Sequence, residues 1–189
     1  NNHSITVGLD LEMTEGQLNE FQTAPDVSFG PRLAYPKGAH YDYDVESKII
    51  AAFVNFEWNL TEKTKLVTGI RGEKVDYEYE TNVTPGTKGR IQVSPNRNDD
   101  FTEFSPKLAI NHKINDDLAI FANFSRGNRA PQTTDLYRIQ SKQIPGGAKS
   151  EKLDSFEIGL RGNFSIFNLE LVGFDMQKEN YFFRDSQGF

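Results

Sequence analysis

About seven stretches of this chain alternate apolar and polar side chains with a period of two, and the connections between them run long, short, long, short, long, short. A period of two places one set of side chains on one face of a strand. The first stretch is clean: Ile5, Val7, Leu9, Leu11 and Met13 alternate with Ser4, Thr6, Gly8, Asp10 and Glu12. The second runs from about Val45 to Leu60, with Ile50, Ala52, Val54, Phe56, Trp58 and Leu60 on one face. On the third, Leu66, Thr68 and Ile70 oppose Val67, Gly69, Arg71 and Glu73. Phe104, Leu108 and Ile110 mark the fourth, and Leu118, Ile120, Ala122 and Phe124 the fifth. Phe156, Ile158, Leu160 and Phe164 mark the sixth. On the seventh, Val172, Phe174 and Met176 oppose Gly173, Asp175 and Gln177.

The connections sort this pattern into an architecture. Long, irregular segments lie at about Thr14–Asp44, Glu80–Asp100 and from Gly127 to about Lys152. Short polar turns lie near Thr61–Thr64, Asn115–Asp117 and Ser165–Asn168. In an antiparallel up-and-down meander, all the long connections fall at one end and all the short ones at the other. Transmembrane barrels have this asymmetry, whereas a sandwich with Greek-key crossings has no reason to sort its loops. The expected fold is therefore all-β: a meander of about seven strands that forms part of a larger barrel. Crossing the apolar layer takes ~9–11 tilted residues, which several of these stretches can supply. Trp58, Phe164 and Phe167 lie beside short turns, and Tyr77, Tyr79, Phe101, Phe182 and Phe183 near long loops. That distribution predicts two aromatic girdles.

Composition narrows the function. The net charge is -6, so no nucleic-acid partner is expected, because a nucleic-acid groove needs clustered positive charge. There is no cysteine, hence no disulfide or thiol chemistry. No apolar run approaches the ~20 residues of a membrane helix. A negative mean hydropathy is uninformative here, because alternating strands average to near neutral. No leader is visible at Asn1–Ser4.

The stretch from Phe124 to Gln140 carries a resemblance. It reads as a strand that stops alternating at Gly127, is barred from the ladder by Pro131, and turns through a short capped helix at Leu136-Tyr137-Arg138. Gly127-Asn-Arg-Ala-Pro131 followed by Leu-Tyr-Arg resembles the barrel of TonB-dependent outer-membrane receptors. So do Thr68-Gly-Ile-Arg71, Phe104-Ser-Pro-Lys-Leu108 and Leu153-Asp-Ser-Phe-Glu-Ile-Gly-Leu-Arg161, in the family's order. Together these cover most of the chain after about Asp42. The resemblance implies active transport of a scarce nutrient across the bacterial outer membrane, most often a ferric siderophore or similar iron complex. It also implies outer-membrane lipid as surroundings, a small-molecule ligand, and energy received from the TonB complex through a plug domain. Residues 1–189 are expected to be part of the barrel domain, with the plug and remaining strands elsewhere, since seven strands cannot close and an open edge in hydrocarbon is costly.

Candidate site residues fall into two groups. Tyr35, His40 and Tyr41 supply aromatic and polar surface in the first long connection, and Arg129 and Arg138 in the third are suited either to an anionic ligand or to holding the loop together. Arg71, Glu73, Glu157 and Arg161 fall on strand faces expected to look into the lumen, where charges pair with one another or with a plug. Catalysis has no support: His3, His40 and His112 are far apart, and no metal-ligand spacing occurs. Asp42, Asp44 and Glu46 share a face and read as a solvated loop base, with a Ca²⁺ site as the other option. No cofactor is expected. The competing reading is a soluble β-rich module, such as a carbohydrate-binding sandwich whose long loops form the site. It requires two sheets stacked over a shared dry interior.

Overall fold

A computed structural model describes residues 3–181. Phe182 and Phe183 of the expected girdle, and the terminal Phe189, lie outside the described residues. The elements in chain order are β1 (Ser4–Gln22), β2 (Val27–Phe29), β3 (Arg32–Tyr35), β4 (Gly38–Asn59), β5 (Thr64–Thr81), β6 (Gly86–Lys88), β7 (Ile91–Val93), β8 (Arg97–Lys113), β9 (Leu118–Arg129), α1 (Thr133–Tyr137), β10 (Ile139–Gln140), β11 (Glu151–Phe164) and β12 (Phe167–Glu179). Seven long strands form one open antiparallel sheet in sequence order, β1-β4-β5-β8-β9-β11-β12. The remaining strands make a hairpin, β2-β3, and a small sheet, β10-β7-β6, within the long connections. No second large sheet faces the first among the described residues, so the sandwich reading fails.

Register assigns every side chain to a face. Val7 pairs with Val54, Val54 with Ile70 and Leu108 with Phe124. Phe124 in turn pairs with Phe156. These residues, with Ile5, Leu9, Leu11, Ile50, Phe56, Phe104, Ile110, Ile120, Ile158 and Leu160, build a continuous apolar face. On β1 it is 65–79% exposed. A contiguous exposed apolar face of this extent marks a surface meant for lipid. Trp58, Phe164 and Phe167 sit on it at the short-turn end, as an aromatic girdle requires.

The strands are longer than the alternation predicts. β1 continues to Gln22, and β4 begins at Gly38 and spans 22 residues. At ~3.3 Å per residue, that is roughly twice what a bilayer crossing needs. Above Met13 and Ile50 the outward residues turn charged: Lys48, Glu46 and Asp44 on β4, Lys74, Asp76 and Glu78 on β5, and Asp100 on β8. Apolar residues above that level move to the opposite, inner face. Tyr77, Tyr79 and Phe101 are therefore not an outer girdle. They pack inward, with Tyr79 1% exposed, because water outside replaces lipid there and the dry side becomes the inside. β12 departs from this rule, because Val172 and Phe174 face inward at the level of the outward Ile158. A two-residue turn sets Phe164 opposite Phe167 and Ile158 opposite Gly173. Leu169 and Leu171 thus face outward near the turn, while Val172, Phe174 and Met176 share the face of Glu157. The alternating apolar triad of this strand does not look at lipid.

Pro106 shapes the wall. The β8–β9 ladder runs from Lys113 to Lys107 and stops beside Pro106, which has no N–H to offer. Asn128 spans the gap, donating from Nδ2 to the Phe104 carbonyl at 2.8 Å and to Ser105 Oγ at 3.0 Å. β9 itself keeps pairing with β11 through Gly127, Asn128 and Arg129. The expected end of the strand at Gly127 is thus corrected to Arg129, just ahead of Pro131.

Candidate functional site

The buried core lies at the long-loop end, on the inner face. Tyr41, Tyr43 and Val45 of β4 and Tyr79 of β5 pack with Ile91 and Val93 of β7 and with Leu136 and Tyr137 of α1. α1 is what the third long connection contributes. Gln132 precedes it, and Asp135 reaches back to accept from the Gln132 N–H at 3.0 Å. This satisfies one of the N–H groups a helix start leaves open. Tyr137 is fully buried, stacked on Tyr79 at 4.3 Å between centroids, and donates to Asp99 at 2.9 Å. Tyr77 donates to the Pro131 carbonyl at 3.1 Å, and Tyr41 to the Ile139 carbonyl at 2.5 Å. The helix is thereby bolted to the barrel wall by aromatic stacking and hydroxyls.

The first and second long connections join this core. Arg90 donates its backbone N–H to the Ala34 carbonyl at 2.8 Å. Gly89 makes that approach possible: it has φ +63°, and a Cβ there would collide with the same carbonyl. The contact sets the Arg90 guanidinium over the Tyr35 ring, 5.8 Å from its centroid, and within 3.2 Å of Gln140 Oε1. Between the three connections opens a cleft of about 370 Å³, lined by Glu20, Tyr35, Tyr41, Arg90, Ile91, Arg138 and Gln140. Two guanidiniums and two tyrosine rings face one carboxylate.

Tyr35, Tyr41 and Arg138 of the anticipated residues meet in this cleft. His40 lies next to it, 6% exposed, with its ring 6.2 Å from that of Tyr35. Arg129 does not reach it; its Nε donates to Glu151 at 2.9 Å, at the top of the β9–β11 pair. Arg71, Glu73, Glu157 and Arg161 all lie on the inner face but apart from the cleft. Arg71 binds Glu73 at 2.8 Å and also Asp10 on β1, Glu157 accepts from Asn123 at 3.3 Å, and Arg161 binds Glu170 at 2.8 Å. Asp42 and Asp44 face outward, where Asn82 Nδ2 lies 3.3 Å from Asp44. No group of acidic or histidine side chains suited to a metal occurs among the described residues.

Reading the sequence missed Glu20, Arg90 and Gln140. Glu20 was legible in principle, because even-numbered residues of β1 face inward if the strand is continued past Met13. Arg90 and Gln140 carried no local signal; only the Gly89–Ala34 approach and the β7–β10 pairing bring them in.

These groups stand above the apolar band, so their charge states are set by protein and water. Burial by itself pushes the Glu20 carboxyl up, but hydrogen bonds from Arg138 and His40 outweigh it and hold Glu20 below the usual carboxylate range. Burial pushes the hydroxyls of Tyr41 and Tyr43 up to about 12. Tyr137 is raised too, by burial first and then by the Asp99 carboxylate.

Solved structures share this wall. The chain superposes on the copper transporter OprC with a TM-score of 0.70 at 14% identity, over 96% of this chain and 28% of that one. The ferric-catecholate import receptor Fiu from K12 E. coli, in its closed form, gives 0.65 at 16% identity, over 99% of this chain and 30% of that one. The ferric yersiniabactin uptake receptor FyuA from Yersinia pestis gives 0.63 at 16% identity, over 95% of this chain and 26% of that one. The chain thus spans less than a third of the length of each. No curated protein sequence matches it. The family model described as TonB dependent receptor-like, beta-barrel, matches residues 1–189. A single meander with sorted loops, an exposed apolar face and a loop core on the inner side is what such a barrel wall requires, and this chain belongs to the TonB-dependent receptor-like β-barrel family of the Gram-negative outer membrane.

Proposed function

We propose that this chain is the ligand-facing part of an active-transport receptor for a scarce nutrient, a ferric siderophore or similar iron complex in the first place. The cleft carries the reading. Arg90 and Arg138 give it cationic donors suited to carboxylate or catecholate oxygens, and Tyr35 and Tyr41 give flat aromatic surface. It lies at the end of the wall away from the short turns, where a receptor meets ligand from outside. The protein is a receptor and transporter in this reading, not an enzyme.

The rest of the machine follows from physics and family. β1 and β12 present open edges within the apolar band, and unpaired backbone groups in hydrocarbon cost several kcal/mol each. Further strands must therefore close the barrel, so residues 1–189 are one part of the barrel domain. The inner face, with Arg71, Glu73, Glu157 and Arg161, then lines the lumen against a plug. The plug transmits energy from the TonB complex, and outer-membrane lipid surrounds the apolar face. The test is uptake of radioactive iron by cells carrying the full-length receptor as their sole one, with ferric catecholate, hydroxamate and carboxylate complexes as probes. TonB-dependent uptake of one of them, reduced at least tenfold by Arg90→Ala, is the expected result. TonB-dependent uptake of copper with none of iron would replace the cargo, and uptake independent of TonB would sink the transport class.

A further inference from the structure

His40 sits where the first and second long connections meet, and its two ring nitrogens both face acceptors. Nε2 lies 2.7 Å from the Pro36 carbonyl oxygen, and Nδ1 lies 3.2 Å from Glu20 Oε1. Neither acceptor carries a hydrogen when Glu20 is ionised. A neutral imidazole has one N–H and can serve only one of them, leaving a lone pair against an oxygen on the other side. With both nitrogens protonated, both contacts are hydrogen bonds. The ring is 6% exposed, so water cannot readily take the place of a missing donor. Glu20 is shared in turn: its other oxygen, Oε2, accepts from Arg138 Nε at 2.9 Å and Nη2 at 2.7 Å.

We infer that His40, Glu20 and Arg138 form a protonation-dependent latch, in which an imidazolium ties the Pro36 segment to β1 and, through Glu20, positions Arg138 and the α1 connection at the cleft. His40 is a positioning residue in this arrangement. The latch goes beyond transport itself, since it holds whatever the cleft takes up. The groups facing His40 are Glu20 from β1, Tyr35 from β3, and Lys88 from β6, which lines the pocket on its other side together with Pro36 and Val83. Arg138 lies beyond Glu20, and Arg90 beyond Tyr35. Glu20 is the carboxylate in contact with the ring, at 3.2 Å from Nδ1.

The sign follows from the geometry. The latch needs protons on both His40 nitrogens and none on Glu20. It is complete while the imidazole carries both protons and loosens when one is lost, because one of the two acceptors then has no donor. In strong acid it also fails, because protonated Glu20 is a poorer acceptor.

Hydrogen exchange of the full-length receptor in outer-membrane vesicles, from pH 5.5 to 8.5 and corrected for intrinsic rates, tests this. Peptides spanning residues 36–40 and 133–140 should lose roughly fivefold or more in protection across that range, the scale of one lost hydrogen bond, while the turn at Ser165 and Ile166 stays level. His40→Gln has no proton to lose and should give a flat profile. A flat wild-type profile, or the same slope in His40→Gln, overturns the latch. If His40→Gln does not assemble, histidine ring ¹⁵N spectra of the wild type decide. An imidazolium signal that titrates in step with the exchange supports the latch, and a neutral His40 at pH 5.5 overturns it. None of these readouts requires a ligand, so the latch stands or falls separately from the cargo.

Discussion

The two halves of this wall are held in opposite ways. Toward the short turns, the continuous apolar face points outward, and Arg71, Glu157 and Arg161 point inward. Toward the long connections the order inverts. On β4, Trp58, Phe56, Val54, Ala52 and Ile50 face out, whereas Val45, Tyr43 and Tyr41 face in. On β5, Leu66 and Ile70 face out, whereas Val75, Tyr77 and Tyr79 face in. The changeover lies at one level, marked by Lys48, Lys74 and Asp76. Hydrophobic burial has no directional preference of its own; it follows whichever side is dry. Lipid is the dry side below this level. Above it the outside is water, and the strands stay upright only because α1 and the small β10-β7-β6 sheet cover their inner face. The lower half thus depends on the membrane and its ladders, the upper half on a packed core.

Breaking the upper core should have the largest effect. Tyr137→Ala removes a fully buried ring, and aromatic-to-alanine changes in cores cost ~3–5 kcal/mol. Hydrogen exchange should show residues 130–150 opening, with the β11–β12 turn unchanged. Loss of protection in both halves would mean they unfold as one unit. The complementary break is Ile158→Arg, on the outward face in mid-band. Arg near the bilayer midplane costs ~2–4 kcal/mol and near its surface ~0–1. Denaturant titration of the full-length protein folding into vesicles should therefore separate Ile158→Arg from Glu46→Arg. Equal midpoints for the two would remove the boundary drawn at Lys48.

Tyr41→Phe is the finer probe. It deletes the hydroxyl that donates to Ile139, the loss of one hydrogen bond at ~0.5–1.5 kcal/mol. The same residue gives a pH test. Burial raises its folded pKa, like that of Tyr43, to about 12 from the ordinary 10.0. Stability from the neutral hydroxyls is then fully present below pH 10 and lost as pH rises through 12. Alkali should loosen the upper half first in the wild type, and less steeply in Tyr41→Phe. Simultaneous loss of both halves would contradict a separate upper core.

The inversion also explains what could be read from the chain. The apolar band was legible on the first six long strands because one phase of a period-two pattern holds through each of those crossings; on β12 the phase changes between Leu171 and Val172. Strand continuity above it was not, because the phase changes at the water surface, and a shifted alternation reads as no alternation. Tyr35, Tyr41, His40 and Arg138 stood out as loop residues of suitable chemistry, and the structure gathers them around one cleft and its border. Arg129 had the same chemistry and is held elsewhere, by Glu151.

The alternation alone specified the lipid-facing residues of β1, β4, β5, β8, β9 and β11, the antiparallel order and the end at which the loops gather, since each depends on neighbours in the chain or on the solvent a face meets. That Glu20, Arg90 and Gln140 complete the cleft, that His40 lies between two acceptors, and that the apolar triad of β12 faces inward emerged from long-range packing. Those meetings join residues of separate elements, 118 positions apart for Glu20 and Arg138 and 50 for Arg90 and Gln140, and no strand periodicity encodes them.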